Sequence, residues 1–359
     1  KIKAQSLRHK TRPRAPHSIN SDRCFPTPIA AGARTMLQRV ITARLQAVLR
    51  TRRASSGFRP VIGIECHVQL NTPTKAFCRC APSTTAPPNT RVCGVCLGEP
   101  GSLPVASTDA PLLGLKAAVA LDCDELAETL EWDRKNYQYP DLPKGYQITQ
   151  ARTPLARSGK VQIDDRTIRI TSLHLEEDSA KTTDVLDHNR AGIALAEIVT
   201  EPDLRSGTEA AAFVRELQQV VKRCGASRAR LEHGELRVDV NVSVTQEGEV
   251  RERVELKNLN SLRAVRLACD FELRRQALLY ESGDTVQRET LGWNGSETYV
   301  MRDKGGAAEY RFSPEPDLPP LPLTEALAQL DRVQIEETTP RAARRRCVAA
   351  GLDSETASL

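Results

Sequence analysis

The stretch VIGIECHVQL at 61–70 constrains the fold more than any other part of the chain. Ile62, Ile64, Cys66, Val68 and Leu70 alternate with Gly63, Glu65, His67 and Gln69. A period of two places the first set on one face of a strand and the second on the other. The apolar face must be buried, while Glu65 and His67 point together from the opposite face. A second stretch, LRVDVNVSV at 236–244, repeats the pattern. Leu236, Val238, Val240, Val242 and Val244 oppose Arg237, Asp239, Asn241 and Ser243. Such alternation belongs to antiparallel sheets with one packed and one polar face.

The remaining elements fit an α+β body with an antiparallel sheet. Residues 107–122 read as a helix, 160–178 as a hairpin turning at Asp164-Asp165, and 191–200 as another strand. A helix is expected over 207–224, started by a Ser206/Glu209 capping box and closed by Gly225. Another runs near 261–282 and stops at Gly283. The Pro-, Gly- and Cys-rich segment 71–104 reads as loop. So does WDRKNYQYPDLPKGYQITQ at 132–150, where a loop of that size marks function. EPDLPPLPL at 315–323 reads as a linker. The expected layout is a leader over 1–59, a body over 60–315, a linker over 316–323 and a helical start over 324–359.

The net charge of +5 hides a division. Residues 1–59 hold 14 Lys/Arg against one acid, Asp22, so 60–359 keep 37 basic and 45 acidic residues, a net of −8. From Met36, MLQRVITARLQAVLRTRRASSGFR carries six arginines, no acid and an apolar helical stripe, which is mitochondrial transit-peptide composition. The acidic body does not read as a free-standing nucleic-acid binder, which needs basic residues on phosphates. No run of about 18 apolar residues marks a membrane span.

Four groups of residues carry possible chemistry. Cys78-x-Cys80 and Cys93-x-x-Cys96 are two close thiol pairs of the kind that hold Zn²⁺, although the first pair is tight for a knuckle. Reduced buried cysteines are the alternative to that reading, and a redox pair is a third. Glu65 and His67 suit a divalent cation, or simply face water. His174, Glu176, Glu177 and Asp178 crowd three carboxylates beside an imidazole, either as an acidic strand end or as ligands. Glu197 interrupts the apolar run GIALAEIVT, so it needs a partner, a metal or an edge. No phosphate-binding glycine loop of either common kind is present, and no nucleophile elbow.

The wording of several blocks then becomes informative. IGIECHVQLNTPTKAFCRCAP, PNTRVCGVCLGEPGSLPV, DRKNYQYPDLPKGYQI, LHLEED, NRAGIALAEIVTEPDLRS, LKNLNS and PEPDLPPL resemble, in order, the B-subunit family of tRNA-dependent amidotransferases. The resemblance covers roughly 60–355. It implies a "cradle" of antiparallel sheet with helices, followed by the start of a helical domain and then a tRNA-binding tail that this sequence does not include. It implies ATP-dependent phosphorylation of the glutamate on Glu-tRNA(Gln), then amidation by ammonia from a glutaminase A subunit, with a C subunit or its equivalent as a further partner. By the same resemblance Glu65, His67, Glu177 and Glu197 match Mg²⁺ positions. Cys78, Cys80, Cys93 and Cys96 match structural Zn²⁺ positions, while Lys135 and Lys144 line the ammonia path and reaction chamber. Lys135, Lys144 and Glu177 are thus the expected catalytic residues. Strand alternation alone would set Glu176, rather than Glu177, beside His174. The chain departs from the family in lacking a glycine within LEEDSAKT, in a less acidic HGELRVDVNVSV, and in Ser313 within YRFSPEPD.

Overall fold

The computed structural model describes residues 57–182, 184–246, 249, 251–301, 310–353 and 356–358. The leader expected over 1–59 lies outside the described residues up to residue 56. Along the chain run β1 (Arg59–Gln69), α1 (Gly94–Leu97), α2 (Asp109–Ala120), β2 (Glu125–Leu126), β3 (Thr129–Leu130), β4 (Asp133–Asn136) and β5 (Tyr146–Thr149). Next come β6 (Ala156–Ile163), β7 (Arg166–Glu177), β8 (Lys181–Thr182), β9 (Leu186–Asp187), β10 (Ala194–Thr200), α3 (Gly207–Arg223) and β11 (Leu236–Thr245). The chain continues through β12 (Val254–Leu256), α4 (Leu262–Glu281), β13 (Thr290–Trp293), β14 (Thr298–Val300), β15 (Arg311–Pro314) and β16 (Leu321–Pro322). Three short helices follow: α5 (Thr324–Ala328), α6 (Arg332–Thr338) and α7 (Pro340–Ala349). None of the described helices is long and apolar enough to cross a membrane.

Nine strands form one sheet in the order β14-β13-β12-β11-β1-β10-β7-β6-β2. The alternating β1 lies near its middle, antiparallel to β10 on one side and β11 on the other. The sheet is mixed rather than purely antiparallel, because β12 and β13 pair in parallel. The cause is α4, a crossover helix between them, and parallel neighbours require such a connection.

The apolar face of the sheet is built by Ile62, Ile64, Cys66 and Val68 of β1 with Val238, Val240 and Val242 of β11, all buried. Ile198 of β10 and Leu173 and Leu175 of β7 extend it. Phe213, Val214, Leu217 and Val221 of α3, and Val265, Ala268 and Cys269 of α4, are buried in the same core. Each such valine, leucine or phenylalanine stabilises the fold by roughly 1.5–3 kcal/mol. Ser206 and Ser261 cap α3 and α4, accepting from Glu209 N and Ala264 N. Half of the expected capping box forms: the Glu209 carboxylate accepts from Arg205 N at 2.8 Å and from Arg166, not from Ser206.

Two expectations differ from the structure. Residues 132–150 are not a loop throughout. β4 and β5 form a hairpin, and β15 joins it as a three-stranded sheet in the order β15-β4-β5. Pro140 and Pro143 fall in the connection, where no ladder bond is needed. Nor is the Pro-rich stretch free of the body. Glu315 is buried and accepts a two-pronged bond from Arg134 at 2.8 Å on each oxygen. Leu318 and Leu323 are buried, and β16 pairs with β3. The chain beyond it also lies against the body, with Arg344 of α7 forking onto Glu216 of α3 at 2.6 and 3.0 Å.

Candidate functional site

The polar face of the large sheet is assembled by register. Arg237 of β11, His67 of β1, Glu197 of β10 and His174 of β7 stand directly opposite one another, forming a row across four strands. Glu176 lies two residues beyond His174, on the same face. Glu65 lies two residues before His67, opposite Asp239. Each of these strands buries its other face, so the polar side chains cannot turn inward.

Within this row, His174 Nε2 and Glu197 Oε2 are hydrogen-bonded at 2.8 Å. His67 Nε2 lies 3.5 Å from Glu176 Oε1 and 3.8 Å from Glu197 Oε2. One ligand atom from each of His67, Glu176 and Glu197 lies within 4.8 Å of the others. Burial and the neighbouring charge of Glu197 push the Glu176 carboxyl well above its ordinary 4.5. Burial resists ionisation of Glu197 as well, but the His174 hydrogen bond, with Lys135 and the two imidazoles close by, outweighs it and holds that carboxyl well below 4.5. Burial lowers His67, which favours a neutral imidazole with a lone pair to offer. Glu65 is raised by burial, then by Glu197 and Glu255, with a 3.0 Å bond from Asn241 opposing. Two crowded carboxylates and a neutral imidazole fit a divalent cation, which would relieve the repulsion that raises Glu176.

Glu177 does not join this group. Its side chain leaves β7 on the other face, where Glu177 Oε1 accepts from Lys144 Nζ at 2.5 Å and from Ile148 N at 2.9 Å. Alternation along an unbroken β7 gives Glu176 to the polar face and Glu177 to the buried one, so of the expected Mg²⁺ set the structure gathers His67 and Glu197 with Glu176, with Glu65 alongside. Lys144 and Glu177 are instead a buried pair. A small cavity next to them is lined by Phe77, Cys78, Cys96, Leu142 and Gly192. Lys135 sits on β4 with Nζ 4.3 Å from the centre of the Tyr310 ring, and its charge acts on Glu176 and Glu197.

The four cysteines do converge. One sulfur from each of Cys78, Cys80, Cys93 and Cys96 lies within 4.8 Å of the others, and all four are free thiols. Cys78 Sγ is 3.4 Å from Cys96 Sγ, and Cys93 Sγ is 3.8 Å from it. Zinc–sulfur bonds of about 2.3 Å in a tetrahedron set sulfurs about 3.8 Å apart. The cluster therefore has the size and donors for Zn²⁺. The hydrogen bond from Cys78 and then the Lys75 charge pull the Cys96 thiol down from 9.0 to about 4, against burial.

Other groups of the site escaped sequence reasoning. Arg237 forks onto the buried Asp178 at 2.7 and 3.1 Å. Lys257 bridges Asp239 at 2.7 Å and Glu255 at 2.9 Å. The alternation of 236–244 already set Arg237, Asp239 and Asn241 on one face; what it could not show was that β11 lies beside β1.

Sequence comparison shows the family that carries this sheet and cysteine cluster: the chain belongs to the GatB/GatE catalytic domain family, whose model matches residues 60–329. Among particular relatives, it is 44% identical over 323 residues to the B subunit of the chloroplastic/mitochondrial glutamyl-tRNA(Gln) amidotransferase of Sorghum bicolor, covering 84% of this chain and 58% of that protein. It is 43% identical over 308 residues to the B subunit of the aspartyl/glutamyl-tRNA(Asn/Gln) amidotransferase of Thermotoga maritima, covering 80% of this chain and 64% of that one. The B-1 subunit of the chloroplastic/mitochondrial glutamyl-tRNA(Gln) amidotransferase of Micromonas pusilla is 41% identical, with 92% and 66% covered. The chain thus spans about three fifths of the length of the first two of these relatives.

Proposed function

We propose that this chain acts as the B subunit of a glutamine-dependent glutamyl-tRNA(Gln) amidotransferase in an organelle. The observation that carries this reading is the His67–Glu176–Glu197 group on one sheet face inside the matched domain. In this reading the glutamate carried by Glu-tRNA(Gln) accepts the terminal phosphoryl group of ATP on a carboxylate oxygen, releasing ADP. Ammonia then attacks the acyl carbon, phosphate leaves, and the amide of Gln-tRNA(Gln) forms. A carboxylate is a poor electrophile, and phosphorylation turns one of its oxygens into a leaving group.

His67, Glu176 and Glu197, with Glu65 beside them, would hold Mg²⁺. When bound, the ion neutralises phosphate charge during transfer. Lys135 of β4 acts on the same carboxylates through its charge, and its ammonium would orient a phosphate or the glutamyl carboxylate. Glu177 and Lys144 stay out of that ion's shell. They form a buried acid–base pair beside the cavity under the cysteine loop, suited to receiving ammonium and removing its proton before attack. Cys78, Cys80, Cys93 and Cys96 would hold Zn²⁺ in a structural role. The A subunit supplies ammonia from glutamine and a C subunit completes the assembly. The arginine-rich, acid-free segment 36–59 supports a mitochondrial rather than a plastid address.

The test is amide formation on Glu-tRNA(Gln) by the chain co-expressed with A and C partners, with ATP and Mg²⁺, using first glutamine and then ammonium. Glu176→Gln should lose roughly a hundredfold or more with both nitrogen sources while the complex still assembles. Undiminished product from that variant would refute the role given to Glu176.

A further inference from the structure

Lys75 lies between β1 and the first cysteine pair, and its side chain is completely buried. Its Nζ donates to Cys96 Sγ at 3.3 Å and to the His188 carbonyl at 3.1 Å. Its backbone N–H donates to the Cys80 carbonyl at 2.9 Å. A single residue thus bonds to one member of each cysteine pair. The next residue is also fixed, since Ala76 N donates to Gly192 O at 2.8 Å. The Lys75 stem packs along Gly192, where an added Cβ would meet Lys75 Cδ at 3.5 Å.

Packing alone does not account for a lysine here. A methionine would fill the same space without taking an ammonium out of water, which costs several kcal/mol unless an anion faces it. Neither of the two hydrogen-bond partners of Nζ is a carboxylate. Of the two partners that Nζ bonds, only the Cys96 sulfur can carry negative charge. Four thiolates around one Zn²⁺ leave roughly two negative charges to be offset, and a cation hydrogen-bonded to one sulfur is the direct way to offset part of that. Groups of this kind, one bond removed from the metal, orient ligands and tune the ion they hold.

We propose that Lys75 is the charge-balancing hydrogen-bond donor of the four-cysteine metal centre, fixing the Cys96 sulfur and strengthening the centre's hold on its ion. The proposal rests on the metal reading of Cys78, Cys80, Cys93 and Cys96. Lys75 is a positioning residue: it acts through Cys96.

The experiment loads the full chain with zinc and titrates it against a chromophoric chelator, then repeats the loading with Co²⁺ to record the thiolate-to-cobalt absorption. Lys75→Met should weaken zinc binding by about tenfold to a hundredfold and shift the cobalt band, while Lys75→Arg keeps most of both. Wild-type affinity and an unmoved band in Lys75→Met would overturn the proposal and leave the metal reading standing. A wild-type chain that binds neither ion, or a Cys96→Ser variant with an unchanged cobalt spectrum, would overturn the metal reading and the proposal with it. Should Lys75→Met not fold, the wild-type chain loaded with ¹¹³Cd decides. Lys75 ammonium protons slow to exchange and coupled to cadmium are expected, and their absence refutes the bond to Cys96.

Discussion

The pair between Arg237 and Asp178 allows a sharp energetic test of how the polar face is held. Asp178 is buried at the end of β7, and Arg237 reaches it from β11 across the sheet with two bonds, 2.7 and 3.1 Å long. Replacing Arg237 with methionine keeps the stem packed but strands the carboxylate. Breaking a buried pair from one side costs about 3–5 kcal/mol. Two contacts survive the change, the Ser179 N–H at 2.9 Å and the Arg190 guanidinium at 3.6 Å, so the lower end, about 3 kcal/mol, is expected. Asp178→Asn added to Arg237→Met removes the stranded charge and should recover about 2 kcal/mol of that loss. The assay is urea unfolding of wild type, both single variants and the double variant, read as a midpoint shift at constant slope. A loss below about 1 kcal/mol for Arg237→Met, or strictly additive single changes, would show that the carboxylate is not buried with Arg237 as its main counter-ion.

Three features give shorter tests. Hydrogen bonds from Arg230, outweighing burial, hold the Glu235 carboxyl below its ordinary 4.5; a depressed folded value means stabilisation that is present above 4.5 and lost as pH falls through the folded value. Glu235→Gln should therefore unfold at lower urea than wild type near pH 7, with the gap closing in acid, and a pH-independent gap would refute this. Gly98 has φ 65 and an added Cβ would lie 2.9 Å from the Pro143 carbonyl and Lys144 N. Gly98→Ala should cost roughly 1–2 kcal/mol from the backbone alone and, by pushing on Lys144, slow the amide formation proposed for this chain; unchanged stability and rate would show that the cysteine loop does not brace Lys144. Phe213 is fully buried between α3 and the sheet, and Phe213→Ala should cost about 3–5 kcal/mol in the same unfolding assay.

What could be read from the sequence follows from the length of each pattern. β1 and β11 carry long alternations, and both were legible, faces included. So were α3 and α4, the first from its Ser206 cap and both from Gly225 and Gly283, which follow them with positive φ. β4 and β5 escaped because four residues each give too short a period, and the prolines between them read as loop throughout. The parallel β12–β13 pairing escaped because nothing local marks which strand a crossover returns beside. At the site, local pattern supplied Glu65, His67 and Glu197 and favoured Glu176 over Glu177, and the observed alternation of β7 follows that pattern. Lys75, and the Arg237–Asp178 pair, could not be found this way. Their partners come from segments 21 and 59 residues away, and a lone lysine or arginine in a sequence reads first as a solvated charge.

The central place of β1 bears on how the protein comes into being. The strand is the first described element to leave the ribosome, yet both of its neighbours are made much later: Glu65 and Asn241, hydrogen-bonded in the finished sheet, are 176 residues apart in the chain. Until β10 and β11 are made, both edges of β1 stand open, with an apolar face attached, and such edges invite pairing with other chains. The order of synthesis therefore puts the strand that carries His67 at risk for the longest time. It also means that the His67–Glu176–Glu197 group cannot form until β7 and β10 have been made and joined to β1.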